Sequence, residues 1–274
     1  NKKKAAGSEI LQAGDMIQVF FSDETFSKMR GQEAVSSEYQ KLLQVPHELQ
    51  VIYEDDLMLI VNKPSGMLSQ KASESDISLN ESILSYLIHE GLLSEETYAV
   101  FHPSVANRLD RNTSGIVLAG KTLAGQQFLS DILRDRSAKK IYHCIVRGKV
   151  EEEMHLKGYL LKDERSNQVQ IFSDETQDAK PIETAYRPLV VGPDATLLEV
   201  HLITGRSHQI RAHLASIGHP IAGDPKYGDM VWNKKLRQDF SVRSQLLHAY
   251  SITLPDGRTF IADEPEIFSQ IMRG

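Results

Sequence analysis

Cysteine is nearly absent from this sequence, with Cys144 the only one in 274 residues. That excludes a disulfide framework and a cysteine-based zinc site, and it points to a reducing cytosol as the expected location. Long apolar runs are missing too: none approaches the roughly 18 residues of a membrane-spanning helix, so no membrane association is expected. The cluster Lys2-Lys3-Lys4 has no apolar stretch behind it and does not read as a signal peptide. An excess of positive charge is also lacking. Lys and Arg number 31 against 37 Asp and Glu, a net charge of −6, which argues against a surface coated for non-specific nucleic-acid binding. A local basic groove stays compatible with that balance. No internal repeat with a period of roughly 20 to 50 residues is present.

What is there suits a folded domain. At 41% hydrophobic and 25% charged residues, the chain can bury a core and is not a disordered polyelectrolyte. Val51–Tyr53, an acidic turn and Leu57–Val61 read as two antiparallel strands, followed by the turn Lys63-Pro64-Ser65-Gly66. Pro64 fixes φ there, and Gly66 permits a backbone approach that a side chain would block. Residues 78–91 read as a helix with Leu79, Ile83, Leu87 and Ile88 on its inner face. A second helix is expected over 123–134, a strand over 140–148, a surface hairpin over 159–172 and a helix from Ser207 to Gly218. A closing hairpin over 246–262 and a short helix over 265–272 complete the pass. Strands and helices alternate without a regular βα repeat, which predicts an α+β fold with a mixed, mainly antiparallel sheet.

Two stretches carry the chemistry. Asn107-Arg108-Leu109-Asp110-Arg111-Asn112-Thr113-Ser114-Gly115 places a carboxylate between two arginines, on a polar turn feeding the β-branched run Ile116-Val117-Leu118. An aspartate on such a loop is aimed by the rigid strand behind it, and the flanking cations favour its charged form. An aspartate between arginines is also a common surface ion pair. The second stretch is Thr204-Gly205-Arg206-Ser207-His208-Gln209-Ile210-Arg211, fed by the strand-like run 196–203. Between the two lies the most basic segment, with Arg134, Arg136, Lys139, Lys140, Arg147 and Lys149. It surrounds Tyr142, a pattern suited to phosphate contact with base stacking.

Together these strings resemble the catalytic motifs of the RluA/RluC/RluD family of RNA pseudouridine synthases. The resemblance implies a pseudouridine synthase fold with a central cleft and flanking helices, acting as an isomerase on ribosomal or transfer RNA. It implies Asp110 as the catalytic residue, Tyr142 packed on the target base and Arg206 paired with Asp110. Arg108 would help occupy the position the flipped base leaves. Lys63, Lys139, Lys140 and Arg211 complete the expected RNA contacts, Arg211 through phosphate or in a structural role. Lys63-Pro64-x-Gly66 resembles the family's first motif, and Leu246-Leu247-His248-Ala249 a pocket-lining signature to which no chemistry is assigned. Where many relatives have His before Arg-Leu-Asp, this chain has Asn107, and where many have His-Pro it has Ser69-Gln70. Residues 1–27 look like the remnant of an S4-like RNA-binding domain, 28–48 a linker with a helical turn over 38–44, and 49–274 the catalytic domain. No metal or organic cofactor is required, and a monomer is expected.

The rival readings are different in kind. A catalytically inactive RNA-binding protein of the same fold would keep the groove but tolerate loss of Asp110. A metallohydrolase would need His201, His208, His213 and His219 to converge. Their spacings match no zinc signature, and residues five apart on a helix diverge. A glycosidase built on Asp110 would need a second carboxylate, and none is evident.

Overall fold

The computed structural model describes residues 32–163 and 165–273. The proposed S4-like remnant therefore lies outside the described residues. Eleven strands form one sheet: β1 (Val51–Glu54), β2 (Met58–Lys63), β3 (Ser104–Val105), β4 (Ser114–Gly120), β5 (Lys139–Arg147), β6 (Met154–Asp163), β7 (Gln168–Phe172), β8 (Lys180–Val191), β9 (Ala195–Leu202), β10 (Leu247–Thr253) and β11 (Thr259–Ile261). Seven helices accompany it among the described residues: α1 (Gln32–Leu42), α2 (Leu79–His89), α3 (Glu95–Tyr98), α4 (Leu123–Arg134), α5 (Gln209–Ser216), α6 (Met230–Phe240) and α7 (Ile267–Arg273). The sheet runs β1-β2-β4-β10-β5-β9-β8-β6-β7, with β11 on β10 and β3 on β4. Every pairing is antiparallel except β4 with β10. This is the expected α+β architecture.

The central strands read as continuous apolar runs because both of their faces are covered. Leu59, Ile60 and Val61 of β2 and Val117 and Leu118 of β4 have no solvent exposure. Helix α2 starts at Ser78, whose N–H and hydroxyl both donate to the Glu81 carboxylate, at 3.0 and 2.6 Å, a capping box. Helix α4 has the expected bounds and buries Leu129 against the core.

Three expectations change. Within the 28–48 segment expected as a linker with a helical turn over 38–44, helix α1 spans Gln32–Leu42 and packs on the domain: Tyr39 donates to the Leu93 carbonyl at 3.0 Å and meets the Tyr98 ring at 6.0 Å. The polar surface of α1 hid its period. Helix α6 was not foreseen, yet Asp229 caps it by accepting from the Trp232 N–H, and Trp232, Leu236 and Phe240 pack with Phe268 and Ile271 of α7. Gly66 is needed for its φ of +91° and not for a close approach, since a Cβ there would meet nothing within 4 Å.

The parallel junction of β4 and β10 is where the site is assembled. His248 pairs with Ser114 and Ala249 with Gly115. Gly115 has φ +109°, and a Cβ on it would stand 2.3 Å from the Ala249 carbonyl oxygen. Only glycine lets the two backbones meet there, so the glycine that closes the Asp110 motif fixes the distance between that loop and the strand beside β5.

Candidate active site

The Asp110 loop is tied down from three directions. Ser69 is buried, and its hydroxyl accepts from the Leu109 N–H at 3.0 Å and donates to the Leu109 carbonyl at 3.1 Å. The residue that replaces the expected histidine thus anchors the loop. The Gly66 N–H donates to the Arg111 carbonyl at 2.9 Å, and the Ser65 hydroxyl to that of Asn112 at 2.9 Å. Asn107 spends its amide on β4, donating to Ile116 O at 3.2 Å and accepting from the Leu118 N–H at 2.8 Å. Its role is to hold strand and loop together, and the substitution at that position leaves Asp110 untouched.

Lys63 is a correction. It is fully buried, and its ammonium donates to the carbonyls of Pro64, Met67 and Arg111 at 2.9, 2.8 and 3.1 Å. With all three protons committed inside the protein it cannot be an RNA contact. Burial pushes its pKa down to about 8, with the nearby charge of Asp110 opposing the shift.

The guanidinium that meets Asp110 belongs to Arg211 and not to Arg206. Arg211 Nη1 donates to Asp110 Oδ2 at 2.7 Å, while Nε and Nη2 donate to Asp224 Oδ2 and Oδ1 at 2.7 and 2.9 Å. Both Arg211 and Asp224 are buried. Burial works against the charge on Arg211, but the hydrogen bonds and charges of Asp224 and then Asp110 outweigh it and hold the pKa above the ordinary arginine value. Burial likewise opposes the charge on Asp224. Arg211 and the N–H groups of Lys226 and Tyr227 hold its carboxyl below the ordinary range. Arg206 stands in the exposed turn ahead of α5, where its backbone N–H donates to the Gln209 side chain and its carbonyl accepts from the Gln209 N–H, both at 3.1 Å. Sequence reading chose the arginine in the loop. The one that matters precedes Leu214 by three residues and shares its inward face.

Helix α5 begins at Gln209 with His208, not Ser207, at its N-cap, and His208 adopts a left-handed backbone with φ 55° and ψ 12°. His208 Nδ1 lies 2.9 Å from the Tyr227 hydroxyl, and Nε2 lies 3.9 Å from Asp110 Oδ1. The Tyr227 hydroxyl also accepts from the Val169 N–H of β7 at 2.9 Å, and Arg211 lies over the Tyr227 ring at 5.3 Å. Burial lowers the His208 pKa. Asp110 opposes this, Arg211 and Lys226 reinforce it, and Asp224 opposes it weakly. Sequence alone marks His208 only as one of the four histidines of the metal reading, and gives no role to Asp224 or Tyr227. A lone aspartate in the small-residue loop Ile221-Ala222-Gly223-Asp224 was the available signal.

Around Asp110 opens a cavity of about 1100 Å³, the central cleft. Among the described residues its wall carries nine lysines and arginines and one carboxylate, Asp110 itself. In a chain of net charge −6, this is the local basic groove the composition left room for. Tyr142 reaches it from β5, where it pairs with Ala249 and Val200. Burial, and to a smaller degree the charge of Asp110, pushes the Tyr142 hydroxyl well above the ordinary tyrosine range, so it stays protonated at neutral pH. Arg108, Lys140 and Arg206 are on the same wall. Lys139 is not: successive strand residues face opposite ways, and Lys139 acts on Glu199 together with His143. Among the described residues no group of three or more His, Cys, Asp or Glu side chains is arranged to hold a metal, and no helix is long and apolar enough to cross a membrane.

Residues 57–216 match the family model described as RNA pseudouridylate synthase. Ribosomal large subunit pseudouridine synthase C of Haemophilus ducreyi is 34% identical over 260 residues, covering 94% of this chain and 76% of the relative. The protein of that name from Vibrio parahaemolyticus is 35% identical over 92% of this chain and 74% of its own length. The one from Escherichia coli is 33% identical over 92% and 75%. Among solved structures, human RNA pseudouridylate synthase domain containing 4 superimposes with a TM-score of 0.65 at 18% identity, covering 88% of this chain and 96% of that one. The human domain containing 1 protein gives 0.61 at 20%, covering 83% and 96%. These two likenesses establish the fold.

Proposed function

The chain belongs to the RNA pseudouridylate synthase family, and from that membership we propose that it isomerises uridine to pseudouridine in ribosomal RNA, with Asp110 as the catalytic residue. The observation that carries the reading is the Asp110–Arg211–Asp224 arrangement on the wall of an otherwise cationic cavity. The reaction breaks the bond from C1′ to N1 and forms one from C1′ to C5; the ring loses a proton at C5 and gains one at N1. An ionised carboxylate serves this as nucleophile or as the base on the sugar. Arg211 holds one oxygen of Asp110 and leaves the other free toward the cavity.

The target nucleotide must leave its stack, at a cost of a few kcal/mol or roughly that order. Tyr142 offers its ring to the face of the extruded uracil, and Arg108 at the rim is placed to fill the gap. Arg134, Arg136, Lys140 and Arg206 supply the phosphate contacts. The printed names of the curated relatives favour ribosomal RNA over transfer RNA, and such a substrate puts the chain in the cytoplasm. A monomer suffices, because one chain contributes every residue of the arrangement.

Release of tritium from C5-labelled uridine in ribosomal RNA tests this directly. Asp110→Ala is expected to abolish release while the protein stays folded and RNA affinity holds. Equal release by variant and parent would overturn the assignment and leave an RNA-binding protein of the same fold.

A further inference from the structure

The carboxylate of Asp110 is held on one side only: Arg211 takes Oδ2, and Oδ1 faces His208. Three features of His208 have no explanation in the role of a helix start. Its backbone is left-handed, a conformation uncommon outside glycine that persists only where the surroundings impose it. Its ring is half-buried beside the charged groups of the site, with no hydrogen bond from Nε2 to the described residues. Its Nδ1 meets a hydroxyl whose own geometry is fixed: one lone pair of Tyr227 Oη is occupied by the Val169 N–H, and Nδ1 is the acceptor left for its proton among the described residues. A neutral imidazole that accepts at Nδ1 carries its hydrogen on Nε2, the nitrogen 3.9 Å from Asp110 Oδ1.

We propose that His208 is a positioning residue for Asp110, set by Tyr227 as the Nε2–H tautomer so that it donates to Oδ1 when substrate fills the cavity. A shift of about 1 Å brings the pair into hydrogen-bond range. Each carboxylate oxygen then has one protein donor, Arg211 on Oδ2 and His208 on Oδ1. Each keeps another lone-pair site for the sugar. In this tautomer Nε2 has no lone pair to offer, so His208 cannot serve as a base toward Asp110. Its contribution is orientation of the reacting oxygen. The reading of Asp110 given above is its premise.

The test combines a readout that needs no RNA with one that does. Nitrogen-15 NMR of the free protein at neutral pH is expected to show His208 as the neutral Nε2–H tautomer, and Tyr227→Phe to convert it to a mixture. In turnover, His208→Ala is expected to lower kcat roughly 10- to 100-fold with little change in KM, the size expected for a misplaced reacting group. His208→Gln, which restores an N–H donor at the same reach, should recover most of that loss. Tyr227→Phe should lower kcat several-fold in folded protein, and it keeps the question open to test if the His208 variants fail to fold. An Nδ1–H tautomer in the parent, parental kcat in His208→Ala, or Gln no better than Ala in folded protein would each overturn the proposal. A parent inactive on ribosomal RNA would remove its premise, and that result is separable because the tautomer is read without substrate.

Discussion

Asp224 grips Arg211 through two parallel hydrogen bonds, 2.7 Å from Nε and 2.9 Å from Nη2, and leaves Nη1 as the one nitrogen turned to Asp110. The pair is buried, so it is arranged before substrate arrives. Asp224 is in turn fixed by the N–H groups of Lys226 and Tyr227 at 2.8 and 3.1 Å. The positive charge beside Asp110 therefore depends on a loop carboxylate thirteen residues after the arginine.

Removing Asp224 leaves a buried guanidinium half-paired. Asp224→Ala is expected to cost about 3 to 5 kcal/mol of stability, the range for breaking one partner of a buried ion pair. Activity should fall with it, because a freed Arg211 no longer aims at Asp110. Chemical denaturation and tritium release measured on the same preparation check both; an unchanged midpoint would show that Arg211 is held by something else.

The two arginines of the second motif should separate cleanly. Arg211→Lys keeps a charge but loses the planar fork that serves both aspartates, and a loss in kcat of roughly 100-fold is expected. Arg206→Ala should leave kcat near the parent and weaken RNA binding. Its signature is a shallower salt dependence, the slope of log Kd against log salt falling by about 0.7 for one lost single-strand phosphate contact. The opposite pattern would restore Arg206 as the partner of Asp110.

Much of this was legible in the sequence, and the parts that were not have physical reasons. The strands around β4, helix α4 and the Asp110 loop declared themselves through β-branched runs, apolar period and turn residues. Arg211 was harder, because a charged residue on a helix is expected outside unless something buried answers it. The answering group, Asp224, is distant in sequence. The resemblance makes Lys63 an RNA contact, and nothing local in the sequence opposes that; the three carbonyls that bury it are a tertiary fact. Lys139 and Lys140 show the reverse case, where strand alternation alone separates the lysine in the cavity from the one on the other face. The left-handed backbone at His208 leaves no local mark.

Gly115 carries a prediction about assembly. At φ +109° with a backbone oxygen 2.3 Å from any Cβ, Gly115→Ala combines an unfavourable backbone region with a collision that no side-chain movement relieves. A loss of about 3 kcal/mol or more is expected, with the β4–β10 junction opening first. Hydrogen exchange at Ala249 and its neighbours on β10 checks the location. Protection equal to the parent would mean that β4 slides without cost and that the motif glycine serves the turn alone.

Lys63 links the site to pH, and its two effects have opposite signs. Its pKa in the folded chain is about 8, below the ordinary value of 10.5. The unfolded chain therefore binds more protons than the folded one between those values, so this titration raises global stability as pH rises through that window. Locally the effect is adverse. A neutral amine has two hydrogens for three carbonyls, and one of those carbonyls is that of Arg111, next to Asp110. Turnover should then fall with a midpoint near pH 8, while the contribution of Lys63 to melting temperature does not fall. Lys63→Met is expected to lower kcat roughly 10-fold at neutral pH by loosening the loop, and to lose the alkaline limb because nothing is left to titrate. Profiles of kcat from about pH 6.5 to 9.5 for both proteins decide the matter. An alkaline limb that survives in Lys63→Met would assign the titration to another group.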